Sequence, residues 1–221
     1  MSSDFVNIHC HSVETGVPFS VLNQYVDIDL RVIPLMEEAA FRSIGIHPWY
    51  MNEASFEKQF DFLKKEVFNR QYFALGECGL DRVNGPAFDF QKEVLLAQME
   101  LSQRHKLPVV LHLVKSYSDI LQIRKKFSSD SKLIIHGFSG NALQVLQLTE
   151  AGFYLSFGTA LFNPNKKLKE AFLACPHDRL FLETDTSETS ISEVYKSASK
   201  WKEVPIEELV SQLKLNFDKL K

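Results

Sequence analysis

Five apolar, β-prone runs each end on a polar side chain, at Glu77, His112, His136, Ser156 and Asp185. Nothing else in the chain constrains its fold as strongly. These ends lie 35, 24, 20 and 29 residues apart, and each interval holds one crossover helix with its loops. Helical patterns fill the intervals. Phe90, Val94, Ala97 and Leu101 recur at helical spacing in 87–105, and further helices are expected over 117–127, 141–151 and 164–175. Strands alternating with helices specify a parallel sheet with helices outside it. The rhythm favours an α/β fold of the TIM-type (β/α) barrel. A doubly wound open sheet competes, but no Gly-rich phosphate fingerprint follows the first strand.

The chain has 221 residues, where about 250 is typical of this barrel. The shortfall is local. Only 38 residues separate His9 from His47, where two complete βα units belong. The expectation is therefore one domain over 1–221, trimmed or distorted in its second βα unit, which lacks a proper helix. Within 13–36, strand candidates are 18–26 and 31–35, the latter confined to an edge by Pro34. Residues 36–41 read as a short helix or turn.

The first strand, Phe5 to His11, carries a His-x-His. Side chains alternate along a strand, so His9 and His11 share one face while Cys10 takes the other. Two imidazoles at the end of a buried strand suit a divalent metal. Glu77, His112, His136 and Asp185 fall at later strand ends, and in a barrel those ends converge on one face. Four imidazoles and two carboxylates bind two divalent ions, with one carboxylate bridging.

Composition excludes little but points consistently. Apolar content of 45% and charge of 24% are ordinary for a globular domain, and the net charge of −3 leaves no broad nucleic-acid footprint. Three scattered cysteines form no disulfide framework, so a reducing cytoplasm is expected. No stretch approaches the roughly 18 apolar residues of a membrane helix, so no membrane association is expected.

The motifs that join these residues resemble those of the TatD family of metal-dependent deoxyribonucleases, in the amidohydrolase superfamily. They are Asn-Ile-His-Cys-His at 7–11, Gly-Ile-His-Pro at 45–48 and Leu-Gly-Glu-Cys-Gly-Leu-Asp at 75–81. Leu-Pro-Val-Val-Leu-His at 107–112, Ile-His-Gly-Phe-Ser-Gly at 135–140 and Leu-Glu-Thr-Asp at 182–185 follow in the family's order. The resemblance implies that His9 and His11 hold one metal and that Glu77 bridges two. His112 and His136 then hold the second, and Asp185 binds a metal and the nucleophilic water. It also implies attack on DNA phosphodiesters by a metal-bridged hydroxide, with Asp185 taking the proton and Mg, Mn or Zn as candidate ions. DNA is the expected substrate, and no obligate protein partner is inferred.

Several positions depart from the family pattern. Asn7 stands where Asp is usual, Ser12-Val13 replaces a Leu-Asp pair, and Trp49 stands where histidine is frequent. Val114 and Lys115 occupy the place of an arginine, and Thr186-Ser187-Glu188 that of a proline-rich, arginine-containing segment. The ligands are intact while the substrate-contacting pattern is altered. A hydrolase of a small amide, ester or lactone, and a metal-binding protein without turnover, are therefore alternatives. His47, Lys115 and Trp49 are candidate substrate contacts, although Trp49 and Tyr50 also suit rim packing. Cys10 and Cys78 are expected to face the helical layer, His105 and His177 to lie on the surface, and Glu183 to point away from Asp185.

Overall fold

A computed structural model of the chain describes residues 4–33, 40–69 and 71–221. The described residues form two compact units, one comprising the stretch up to Leu22 with Ile134 to Lys221, the other Asn23 to Leu133. Both cuts fall inside strands.

In the first unit, β1 (Val6–Cys10) pairs in parallel with the start of β2 (Phe19–Val26). The later strands are the end of β7 (Leu133–Ile135), β8 (Phe153–Phe157) and β9 (Leu180–Leu182). β8 and β9 are parallel, and Cys10 bridges Asp185 just beyond β9. The helices α4 (Ala142–Glu150), α5 (Lys166–Ala174), α6 (Ile191–Lys202) and α7 (Ile206–Asp218) pack here. Phe153, Phe157, Phe172, Phe181, Tyr195 and Phe217 are buried, each such ring worth about 1.5–3 kcal/mol. The Tyr195 hydroxyl accepts from the Val6 N–H at 3.2 Å and donates to the Val6 carbonyl at 3.1 Å, clamping α6 onto β1.

The second unit holds the end of β2, β3 (Val32–Ile33), β4 (Phe41–Gly45), β5 (Ala74–Asp81) and β6 (Val109–Val114). β4, β5 and β6 are parallel, whereas β3 runs antiparallel to β2. Its helices are α1 (Phe56–Asn69), α2 (Phe88–His105) and α3 (Tyr117–Arg124). The buried Gln98 amide on α2 bonds both backbone groups of Ile46, at 2.8 and 3.1 Å. It thereby satisfies the chain where it leaves β4. The strand order β1-β2-β4-β5-β6-β7-β8-β9, with Cys10 bridged to Asp185, is that of a (β/α) barrel.

The expected trimming extends beyond the second βα unit. β1 and β2 are parallel although only residues 11–18 join them, fewer than the dozen or so an ordinary crossover uses. The first βα unit therefore lacks its helix, and, as expected of the second unit, no helix lies between β2 and β4 among the described residues. β5 runs on through residues 78–81 to Asp81, because Gly76 and Gly79 let its backbone lie against β6. A Cβ on Gly79 would sit 1.9 Å from the His112 carbonyl oxygen. β6 likewise continues two residues past His112. Pro205 caps α7 at its N-terminus. Residues 34–39, including Pro34 and most of the expected 36–41 turn, lie outside the described residues.

Candidate metal centre

In the first unit, the end of β1 presents His9, fully buried, and His11, one-third exposed. Their rings lie 5.4 Å apart, on one side of the strand as the alternation requires. Asp185 is brought to them by the backbone. Its N–H donates to the His9 carbonyl at 3.1 Å, and its own carbonyl accepts from the His11 N–H at 3.0 Å. Asp185 adopts φ 52°, a left-handed conformation that Asp tolerates better than most residues.

The carboxylate oxygen Oδ1 of Asp185 lies 3.5 Å from His9 Nε2 and 3.4 Å from His11 Nε2. Two donor atoms each bound to one tetrahedral ion stand about 3.4 Å apart, so the spacing fits a shared cation. Burial pushes the Asp185 carboxyl up, but the His11 and His9 imidazoles outweigh it and hold the group below the usual carboxylate range. His136 follows β7, its ring 4.3 Å from that of His9. Ligand atoms of His9, His136 and Asp185 lie within 4.8 Å of one another.

Two neighbours complete this cluster. The Asn7 side chain donates to Thr184 Oγ1 at 2.8 Å and accepts from the Thr184 N–H at 3.1 Å. A carboxylate has no hydrogen to donate, so Asn suits this position and holds the segment that carries Asp185. Glu183, 1% exposed, does not stay clear of the site. Its Oε1 accepts from the Gly137 N–H at 2.7 Å and lies 3.5 Å from His136 Nδ1. The strand ends at Leu182, so strand alternation no longer dictates where Glu183 points.

In the second unit, Glu77 is buried within β5 and its Oε1 meets two imidazoles, His47 Nε2 at 3.1 Å and His112 Nδ1 at 2.9 Å. Asn23 fixes the carboxylate, donating to Oε2 at 3.2 Å and accepting from the Glu77 N–H at 3.0 Å. The two histidines have different roles. His47 Nδ1 accepts from the Trp49 N–H at 3.1 Å, which leaves its proton on Nε2 as the donor to Glu77. His112 Nε2 lies 3.3 Å from Asp81 Oδ2.

Asp81 is ionised. Burial raises its pKa, but the Trp49 indole, the Asn84 and Val83 amides and His112 bring it down to about 2. An acceptor-only carboxylate calls for the proton of His112 on Nε2. His112 Nδ1 then turns a lone pair toward Glu77 Oε1, and a proton or a metal ion must lie between the two. The donor set of each unit thus fits a divalent cation, through imidazole and carboxylate ligands of intermediate softness.

The remaining candidates are distributed as follows. Lys115 is exposed just past β6 with φ 52°. Trp49 is 49% exposed, whereas Tyr50 stacks on Tyr25 with ring centroids 4.3 Å apart. Cys10 and Cys78 are buried, and burial pushes both thiols up, Cys10 to about 12. His105 is exposed on α2, and His177 precedes β9 well before Asp185. Sequence reasoning missed Asn23, Asp81 and Glu183. Extending β5 by its period of two would have placed Asp81 on the face of Glu77.

The family model described as TatD related DNase matches residues 11–220. The chain belongs to this family. It is 32% identical over 160 residues to the metal-dependent hydrolase YabD of Bacillus subtilis, covering 70% of this chain. It spans 62% of the length of that relative. The TATDN1 homologue of Enterocytozoon bieneusi is 27% identical over 92% of this chain and 86% of its own length. The crystal structure of YjjV, a TatD homologue from Escherichia coli, superposes with a TM-score of 0.82 over 100% of this chain and 98% of that one, at 20% identity. The barrel fold is therefore shared with a solved TatD homologue. Among the described residues, no helix is long and apolar enough to cross a membrane.

Proposed function

We propose that this chain is a two-metal hydrolase that cleaves phosphodiester bonds of DNA. The observation that carries the reading is the gathering of imidazole and carboxylate donors, His9, His136 and Asp185 in one group and His47, Glu77 and His112 in another, each with ligand atoms within 4.8 Å. The family description supports DNA as substrate. Following the family pattern, His9 and His11 would hold one ion and His112 and His136 the other, with Glu77 and Asp185 as carboxylate ligands, and Asp185 would be the proton acceptor. Bound divalent ions, of Mg, Mn or Zn, acidify water and neutralise charge on the phosphate oxygens. Asp185 takes the proton of the attacking water and passes it to the leaving oxygen. Asn23 and His47 keep the Glu77 carboxylate oriented. The Lys115 ammonium meets a substrate phosphate as a point charge. The three free thiols are consistent with a reducing compartment such as the cytoplasm.

The test is digestion of end-labelled single-stranded DNA by metal-reconstituted protein, with Asp185→Asn alongside. Label release that needs both metal and Asp185 is expected. If both proteins are inert while the wild type holds two ions, the DNA reading fails. The altered residues around the ligands, Trp49 and Val114 among them, would then favour a small amide, ester or lactone.

A further inference from the structure

Trp49 stands at the edge of the Glu77 cluster in a manner that packing alone does not explain. Its side chain belongs to one of the largest apolar residue types, yet 49% of the residue is exposed. Its orientation is nevertheless set by a buried charge. The indole N–H donates to Asp81 Oδ2 at 2.7 Å, and Asp81 is 2% exposed. The ring forms T-shaped contacts with His47, at 5.0 Å and 84°, and with His112, at 5.6 Å and 77°. The indole therefore rises as a wall beside the two imidazoles that face Glu77. Its neighbour Tyr50 is engaged differently, stacked on Tyr25 with an interplanar angle of 16°. Fixing a large aromatic ring in advance lowers the entropic cost of stacking a ligand on it.

We propose that Trp49 is a specificity-determining residue of this site: its half-exposed indole stacks on the base of the nucleotide that carries the scissile phosphate. The inference rests on the phosphodiesterase reading and adds what that site selects, a phosphate ester bearing a planar ring one sugar away. Stacking on a base is sequence-tolerant, because every base presents a π-face. The site then discriminates nucleotides from base-free sugar phosphates without choosing among bases.

The experiment is calorimetric binding of two probes, thymidine 5′-monophosphate and 2-deoxyribose 5-phosphate, to the manganese-loaded protein. They share phosphate and sugar and differ in the base. The wild type is expected to prefer the nucleotide about tenfold, within the range for one stacked base. Trp49→Leu is expected to bring the ratio to about one, and Trp49→Phe to keep most of the preference. The phenyl ring still stacks but cannot reach Asp81 as a donor, so retention by Phe separates stacking from the Asp81 contact. Should the Leu variant not fold, the wild type decides: the nucleotide quenches its tryptophan emission saturably and the sugar phosphate does not. Equal affinities in the wild type, no saturable nucleotide binding at millimolar concentration, or an undiminished ratio in Trp49→Leu overturns the inference. A protein that cleaves DNA yet binds both probes equally defeats this inference alone. One that discriminates the probes but cleaves no DNA defeats only the nuclease reading.

Discussion

The backbone N–H of His11 donates to the carbonyl of Asp185 at 3.0 Å. One hydrogen bond thus joins the end of the first strand to the residue that follows the last one. Beside it the Asp185 N–H returns to the His9 carbonyl, so both histidines and the carboxylate share a rigid backbone frame. Catalytic groups need such placement, because small errors in geometry are costly in rate.

Asp185→Asn keeps this frame and removes the proposed proton acceptor. DNA hydrolysis by the metal-loaded protein is expected to fall by about 10²–10⁴-fold, with the circular dichroism spectrum unchanged. Single-turnover cleavage of a labelled oligonucleotide measures it. Activity within threefold of wild type would remove Asp185 from its assigned role.

Glu183 has one carboxylate oxygen, Oε1, engaged by Gly137 and close to His136, while Oε2 has no hydrogen bond among the described residues. A carboxylate beside a metal-binding imidazole orients the ring and strengthens it as a ligand. Glu183→Gln is expected to weaken metal affinity by about 10–100-fold. Competition with a chromophoric chelator reads the change, and an unaltered affinity would reduce Glu183 to a packing residue.

Gly79 is required by the approach of β5 to β6. Alanine there would place a Cβ 1.9 Å from the His112 carbonyl oxygen, at φ 159°. The backbone must move or the pairing must open. A loss of about 2–4 kcal/mol is expected, measured by urea unfolding of the metal-free protein. Because the clash falls on His112 itself, metal affinity should drop with it.

Stability at low pH should depend on Asp81. Its carboxyl titrates at about 2 in the fold and near 3.9 when unfolded. The unfolded chain therefore binds the proton more readily. The stability this contributes is complete above the unfolded value and is lost as pH falls toward 2. Acid unfolding of the metal-free wild type should steepen between pH 4 and 2, and in Asp81→Asn that limb should flatten. Parallel curves for the two proteins would contradict the assignment.

Much of this protein was readable from its residue order. Apolar runs alternating with helical periodicity specify a parallel α/β sheet, because each pattern buries its apolar face in only one way. The apolar runs also pointed to His9, His11, Glu77, His112, His136 and Asp185 as candidate ligands, although Glu77 and His112 lie inside β5 and β6, not at their ends. The limits appeared where local pattern and tertiary contact disagree. Residues 78–81 carry turn-like glycine, but β6 alongside makes them strand, and only then does Asp81 share the face of Glu77. The helix missing from the first βα unit was hidden because a parallel pair joined by residues 11–18 departs from ordinary crossover length. The roles of His47 and His112 depend on which nitrogen bears the proton. That choice is made by the Trp49 amide and the Asp81 carboxylate, groups that the folded chain brings to those two rings. Sequence determined which ligand-type residues the chain carries; tertiary structure decided the direction of each hydrogen bond among them, because a tautomer is set by neighbours in space.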